Sequence, residues 1–264
     1  MLTLTGVRKT FNPGTVNEKV ALTGIDLHLE RGDFVTVIGG NGAGKSTMLN
    51  SIAGVFPIDS GTILLGGNDI SRLPEHARAR YLGRVFQDPM RGTAADMQID
   101  ENLAFAARRG KSRTLRWGIS KAEREEYTEE LAKLGLGLET RLSDKVGLLS
   151  GGQRQALTLL MATLQRPDLL LLDEHTAALD PKTAAKVLEL TEQIVGEENL
   201  TTLMVTHNMH DAIRLGNRLI MMSDGKIIYD VRGEEKAHLH RADLMAKFEE
   251  AAGEELANDR MLLG

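Results

Sequence analysis

The chain of 264 residues contains no cysteine, so neither a disulfide framework nor a thiolate metal site can hold it together. That absence fits a reducing cytosol. No apolar run approaches the ~20 residues that cross a bilayer. The opening Met1-Leu2-Thr3-Leu4 has neither the basic nor the apolar region of a secretory signal. Basic residues are not in excess: 32 Lys and Arg against 37 Asp and Glu leave a net charge of -5, which argues against a general nucleic-acid binder. What remains is ordinary for a globular protein, with 42% hydrophobic and 26% charged residues. The length suffices for one sizeable core, or one core with an inserted subdomain.

Leu2, Leu4 and Val7, then Ile25, Leu27 and Leu29, recur roughly every second residue and predict half-buried strands. Phe34–Ile38 reads as a buried strand that runs straight into a glycine loop. A helix follows from Lys45 to about Ile52, with Gly54 as its C-cap. Ile63-Leu64-Leu65 is another strand between glycines. From Pro89 to about Arg166 the pattern turns helical, as in Glu101–Arg109 and Lys121–Leu134, and Pro167 ends the last helix. Leu169–Leu172 and Leu203-Met204-Val205 then read as strands buried on both faces, as a parallel sheet requires. Between them Asp180 caps a helix with Pro181 at its first position and Ala184, Val187, Leu188 and Ile194 on one side. Leu219–Met222 and Lys226–Tyr229 flank a hairpin signal, Asp224-Gly225. Leu244, Met245, Phe248 and Ala252 stand at helical spacing in the tail, a stripe for its own core or for a partner. No internal repeat is evident.

Gly39-Gly40-Asn41-Gly42-Ala43-Gly44-Lys45-Ser46, with Thr47 behind it, fits the phosphate-loop pattern G-x-x-x-x-G-K-[ST]. Its glycines let backbone N–H groups turn inward onto phosphate oxygens, and the helix N-terminus adds positive potential there. Lys45 supplies a full charge toward the β- and γ-phosphates of ATP, and the Ser46 hydroxyl suits a Mg²⁺ ligand. Asp173-Glu174 closes the strand Leu169–Leu172, at the edge where α/β sheets place ligands. Asp173 is the expected Mg²⁺ ligand, and Glu174 the residue that orients and deprotonates the attacking water. Ser150, Gly151 and Gly152 offer a hydroxyl and backbone N–H groups beside a helix start near Gln153, which makes a second anion site.

With Leu149-Ser150-Gly151-Gly152-Gln153 lying between the phosphate loop and Leu169–Glu174, the chain resembles the ATP-binding subunit of an ABC transporter from about Leu2 to Val231. The resemblance implies an α/β P-loop NTPase, RecA-like, with an antiparallel β subdomain and an inserted α-helical subdomain. It divides the chain into a catalytic core (1–88 and 167–231), a helical subdomain (89–166) and a tail (232–264). Gln87 matches the family's Q-loop, where an amide can touch Mg²⁺ and water together. His207 resembles the switch histidine that hydrogen-bonds the γ-phosphate and attacking water, whereas His28, His76, His210, His238 and His240 read as surface residues. Asp180 resembles the D-loop that crosses the dimer interface. Phe11 stands where the family stacks an aromatic ring on adenine; it is either that ring or a core residue.

One γ-phosphate has no use for two cradles from a single chain. The family's answer is a head-to-tail homodimer, or a pair with a paralogous subunit, in which each signature motif closes over the other subunit's ATP. The implied partners are integral membrane permease subunits and an external substrate-binding protein, with the chain peripheral on the cytoplasmic face. His175 departs from the proline of most relatives. The stretch Asp173–Asp180 resembles a subgroup accompanying permeases similar to those for branched-chain amino acids, which implies import of a small organic solute. A soluble ATPase of the same family that remodels a protein assembly, or an exporter subunit, is the alternative. Arg108, Arg109, Lys111, Arg113 and Arg116, beside Trp117, form a basic cluster: a solvated face, or a contact for anionic headgroups.

Overall fold

Alternating burial builds the first strands. β1 (Leu2–Phe11) and β2 (Lys19–Leu29) pair antiparallel, and Leu2, Leu4, Val7, Ile25, Leu27 and Leu29 all lie inside, as their spacing predicts. β3 (Phe34–Gly39) is buried along its whole length and delivers the glycine loop to α1 (Lys45–Ala53). β4 (Ser60–Leu65) and β5 (Asn68–Asp69) complete an antiparallel sheet of order β2-β1-β4-β5, and the short helix α2 (Glu75–Arg78) follows. Arg78 is buried, which its local sequence does not signal. Its guanidinium donates to the carbonyls of Ser51 at 2.7 Å and Ile52 at 2.8 Å, satisfying orphan acceptors where α1 ends.

This computed structural model describes residues 1–111 and 118–252, with the side chains of Ala251 and Ala252 excepted. The chain divides into two units: Met1–Arg78 with the segment from Leu200 onward, and Ala79–Asn199.

In the second unit, β6 (Leu82–Val85) pairs parallel with β7 (Leu169–Asp173). Between them run α3 (Ile99–Ala107), α4 (Lys121–Lys133) and α5 (Gly151–Thr163), and α6 (Pro181–Glu198) comes after β7. α3 starts ahead of the expected Glu101, because the Glu101 carboxylate reaches back to the Gln98 N–H at 2.7 Å and caps the turn. α6 has the predicted cap. Its inner face is made by Val187, Leu188, Leu190, Thr191 and Val195, with Ala184 and Ile194 only half-buried. Arg108 and Lys111 are exposed, as a solvated face requires, whereas Arg109 is half-buried. Arg108 pairs with Glu123 at 3.0 Å, and Arg109 donates to the Ala162 carbonyl at 2.9 Å. Arg113, Arg116 and Trp117 lie outside the described residues.

The first unit resumes with β8 (Thr202–Val205), α7 (Met209–Arg214), β9 (Arg218–Ser223), β10 (Lys226–Arg232), α8 (Glu234–Ala237) and α9 (Arg241–Ala252). β3 pairs parallel with both β8 and β9, and β9–β10 is the predicted hairpin, with positive φ at both Asp224 and Gly225. The tail stripe packs on its own unit: Leu244 and Phe248 join Ile38, Met209, Ala212 and Leu219 in one buried cluster, with Met245 beside it. Among the described residues no helix is long and apolar enough to cross a membrane.

Candidate functional site

In the first unit, β3 ends at Gly39 and α1 begins at Lys45, so Gly40–Gly44 must turn the chain in five residues. Gly44 sits at φ 97° as the helix N-cap, where an added Cβ would lie 2.6 Å from the Ala21 carbonyl oxygen; only glycine fits. No acidic residue occupies the first turn of α1, leaving its N–H groups suited to an anion. The Lys45 ammonium is buried and donates to the carbonyls of Gly39 at 2.6 Å and Gly40 at 3.0 Å, so the loop itself aims it. Asn41 and Ser46 are exposed and Thr47 is half-buried, while Ala43 packs inside and its carbonyl accepts from the Gly225 N–H at 3.1 Å. A second cation stands beside the loop: the Lys19 ammonium lies 3.5 Å from where a Cβ on Gly42 would stand. A lone lysine at a strand start carries no local signal for that.

The register of β3 on β8 brings His207 to the same sheet edge. Val37 is opposite Val205, so Gly39 and His207 each stand two residues further along parallel neighbours. The Thr206 N–H donates to the Val37 carbonyl at 3.1 Å and carries that register past the strand end. His207 is exposed, as are His28, His76, His210, His238 and His240. Phe11 is half-exposed rather than a core residue. Its ring meets Phe56 edge-on at 5.1 Å, with the Lys9 ammonium 5.5 Å from its centroid.

The second unit repeats this logic. Val85 is opposite Leu172 in the β6–β7 pair, so Gln87 and Glu174 each lie two residues beyond it, at the carboxyl ends of both strands. Gln87 is exposed, and the Phe86 carbonyl beside it accepts from the buried Gln155 amide at 3.2 Å. Asp173 is mostly buried and lies 3.7 Å from Arg84, whose guanidinium also covers the Phe86 ring at 4.5 Å. Arg84 sits among apolar strand residues, an odd charge that could have flagged it. Glu174 takes φ 46°, a left-handed conformation that few side chains adopt, and its carbonyl accepts from the Ala177 N–H at 3.0 Å. His175 follows it into the interior at 1% exposure, where its Nε2 meets the Thr191 hydroxyl at 3.1 Å. Burial pushes the His175 imidazole down to about 4, so it is neutral at pH 7.

Ser150 is the N-cap of α5, which starts at Gly151 rather than near Gln153. The Ser150 hydroxyl accepts from the Gln153 N–H at 3.3 Å, and the Gln153 amide oxygen accepts from the Ser150 N–H at 3.2 Å. Asp180 caps α6 through the Thr183 N–H at 3.1 Å, and the Thr183 hydrogen bonds hold its exposed carboxyl below the usual range. These two helix starts touch. A Cβ on Gly152 would stand 2.1 Å from the Thr183 methyl, and one on Gly151 3.3 Å from Leu179, so the small residues permit the approach.

In the second unit the strand ends offer the Gln87 amide and the Asp173 and Glu174 carboxylates, and in the first the Ser46 hydroxyl stands at the start of α1; each is a hard oxygen donor of the kind Mg²⁺ takes alongside phosphates and water. Among the described residues no group of three or more His, Cys, Asp or Glu side chains is arranged to hold a metal by itself.

Comparison with known proteins gives a consistent likeness. The family model described as ABC transporter matches residues 22–177. The chain is 43% identical over 256 residues to the tyrosine transport ATP-binding protein of Clostridioides difficile (strain R20291), covering 95% of this chain and 100% of that protein. It is 37% identical over 231 residues to the lipoprotein-releasing system ATP-binding protein LolD 1 of Caulobacter vibrioides (strain ATCC 19089 / CIP 103742 / CB 15), covering 86% and 94%. Among solved structures it is similar to the dimeric post-hydrolysis state of the ATP-binding cassette MJ0796 bound to ADP and Pi. That similarity has a TM-score of 0.73 at 30% identity, over 88% of this chain and 98% of that one.

Proposed function

Because this chain belongs to the ABC transporter family as an ATP-binding, ATP-hydrolysing subunit with the P-loop fold, we propose that it works as a homodimer. In that dimer Gly39–Thr47 of one copy and Ser150–Gln153 of the other enclose each ATP. The observation that carries the reading is the shared register in each unit: Gly39 with His207, and Gln87 with Glu174, all at or just past the carboxyl ends of parallel strands.

The roles follow from the chemistry of each group. Loop N–H groups and Lys45 hold phosphate, with Lys19 adding positive potential outside the loop. Ser46, Gln87 and Asp173 are the oxygen donors toward Mg²⁺, which when bound neutralises charge on the phosphates. Glu174, held in its left-handed turn, orients and deprotonates the attacking water, and His207 hydrogen-bonds the γ-phosphate. Phe11, half-exposed against Phe56, offers a face to adenine. Asp180 and Ser150 lie on helix starts that touch, so a nucleotide bound by one signature motif moves the D-loop with it.

Hydrolysis then parts the two copies, and residues 89–166 carry the motion as a helical subdomain to integral permease subunits at the cytoplasmic face of the membrane; residues 1–88 and 167–231 form the catalytic core. The likeness to a protein named for tyrosine transport, over nearly the whole length of both chains, supports import of an amino acid delivered by an external binding protein. Light scattering on Glu174→Gln with saturating Mg-ATP tests the dimer. We expect ATP-dependent dimerisation with turnover slowed roughly 10²–10⁴-fold. A variant that stays monomeric, or that hydrolyses at the normal rate, overturns the reading.

A further inference from the structure

We infer that the segment from Gly233 to Phe248 is a brace that sets the position of His207, with Lys236 as its positioning residue; this rests on the role proposed above for His207. The first relevant fact is the length of α7. Met209–Arg214 is under two turns, starting two residues after His207, and a helix that short has little stability of its own. Its placement therefore depends on what holds its ends and its inner face.

Asn208 secures the near end, its amide oxygen accepting from the N–H groups of His210 at 2.9 Å and Asp211 at 3.3 Å. The far end is held from elsewhere in the chain. The buried Thr36 hydroxyl donates to the Ala212 carbonyl at 2.8 Å. Lys236, at 2% exposure, donates to the carbonyls of Ile213 at 3.1 Å and Gly216 at 3.0 Å, and to that of Leu215. One ammonium with three donors thus satisfies three carbonyls at the helix's negative end. Burial draws the Lys236 ammonium down to about 8, and the three carbonyls favour its charged form.

The inner face of α7 is covered by the same tail, where Met209 and Ala212 are buried with Leu239, Leu244 and Phe248. Gly233 is itself tied back, its N–H donating to the Asn217 carbonyl at 3.0 Å. So α7 is gripped at its carboxyl end and along its buried side by residues 233–248, while His207 lies two residues before its other end. Loosening the grip lets α7 rotate or fray, and the imidazole loses its fixed place at the sheet edge. The loss falls on the chemical step more than on ATP binding, which the phosphate loop carries.

The test compares Lys236→Met, which keeps the stem and removes the donors, with Lys236→Arg, each alone and in a His207→Ala background. We expect Lys236→Met to lower kcat roughly tenfold or more with KM for ATP changed less than about twofold, and Lys236→Arg to recover much of it. In the His207→Ala background Lys236→Met should cost little more, because both act through one group. Hydrogen exchange at the Ala212–Leu215 amides should quicken in Lys236→Met whether or not the protein is active. A Lys236→Met protein with normal kcat and unchanged exchange at α7 overturns the brace, as does a full additional loss on top of His207→Ala. If His207→Ala itself turns over normally, the role of His207 fails instead, and the exchange result alone decides whether α7 is braced.

Discussion

His175 donates its Nε2–H to the hydroxyl oxygen of Thr191 at 3.1 Å, while Thr191 gives its own proton to the Val187 carbonyl at 2.8 Å. Thr191 has one proton, so the ring must be the donor, which leaves Nδ1 as a buried acceptor with no hydrogen-bond partner among the described residues. The residue after Glu174 is thereby moored to α6, the helix that Asp180 caps.

A pH dependence follows. The folded imidazole titrates at about 4 against 6.5 in the unfolded chain, so the unfolded state binds the proton first as pH falls. The contribution is complete above pH 6.5 and is lost toward pH 4, on the order of 3 kcal/mol in total and about 2 kcal/mol of it by pH 5. Urea unfolding at pH 7 and pH 5 should show this slope in the parent protein and a weaker one in His175→Leu. Equal slopes would rule the imidazole out as the cause.

The contact between helix starts predicts a rescue. Gly152→Ala brings a methyl against the Thr183 methyl and should destabilise by about 1–3 kcal/mol. Removing that methyl with Thr183→Ser should restore most of the loss, measured by Tm of the single and double variants. An additive double variant would refute the contact.

Lys45→Ala should weaken binding of Mg-ATP itself. Losing a charge-assisted hydrogen bond of about 1.5–3 kcal/mol corresponds to roughly 10- to 150-fold in Kd. Titration with a fluorescent ATP analogue measures it, and an unchanged Kd would remove Lys45 from the site.

For Phe11 the relevant comparison is between side chains. Phe11→Ala should weaken ATP binding by about 1–3 kcal/mol, the range seen for aromatic stacking on bases, whereas Phe11→Tyr should bind nearly as well. If inorganic triphosphate affinity fell as much as ATP affinity, the ring would be acting on the loop and not on the base.

Much of this protein was determined by sequence alone, because its chemistry is local. The phosphate loop needs only consecutive residues between a strand and a helix, and Gly39–Ser46 carries them. The pair Asp173-Glu174 needs only a buried strand before it. The capped start of α6 at Asp180 and the hairpin at Asp224-Gly225 are likewise written in adjacent residues. Other features exist only once distant segments meet. Nothing near Lys236 in sequence says that its ammonium will close the end of α7, nor near Arg78 that it will close α1, because the accepting carbonyls lie 20 or more residues away. The register that aligns Gly39 with His207, and Gln87 with Glu174, is likewise set by strand pairing between remote segments. Burial decided the rest. Within its own stretch of chain His175 is a polar residue beside two acidic ones, and only its burial against Thr191 of α6 makes it a neutral, desolvated mooring.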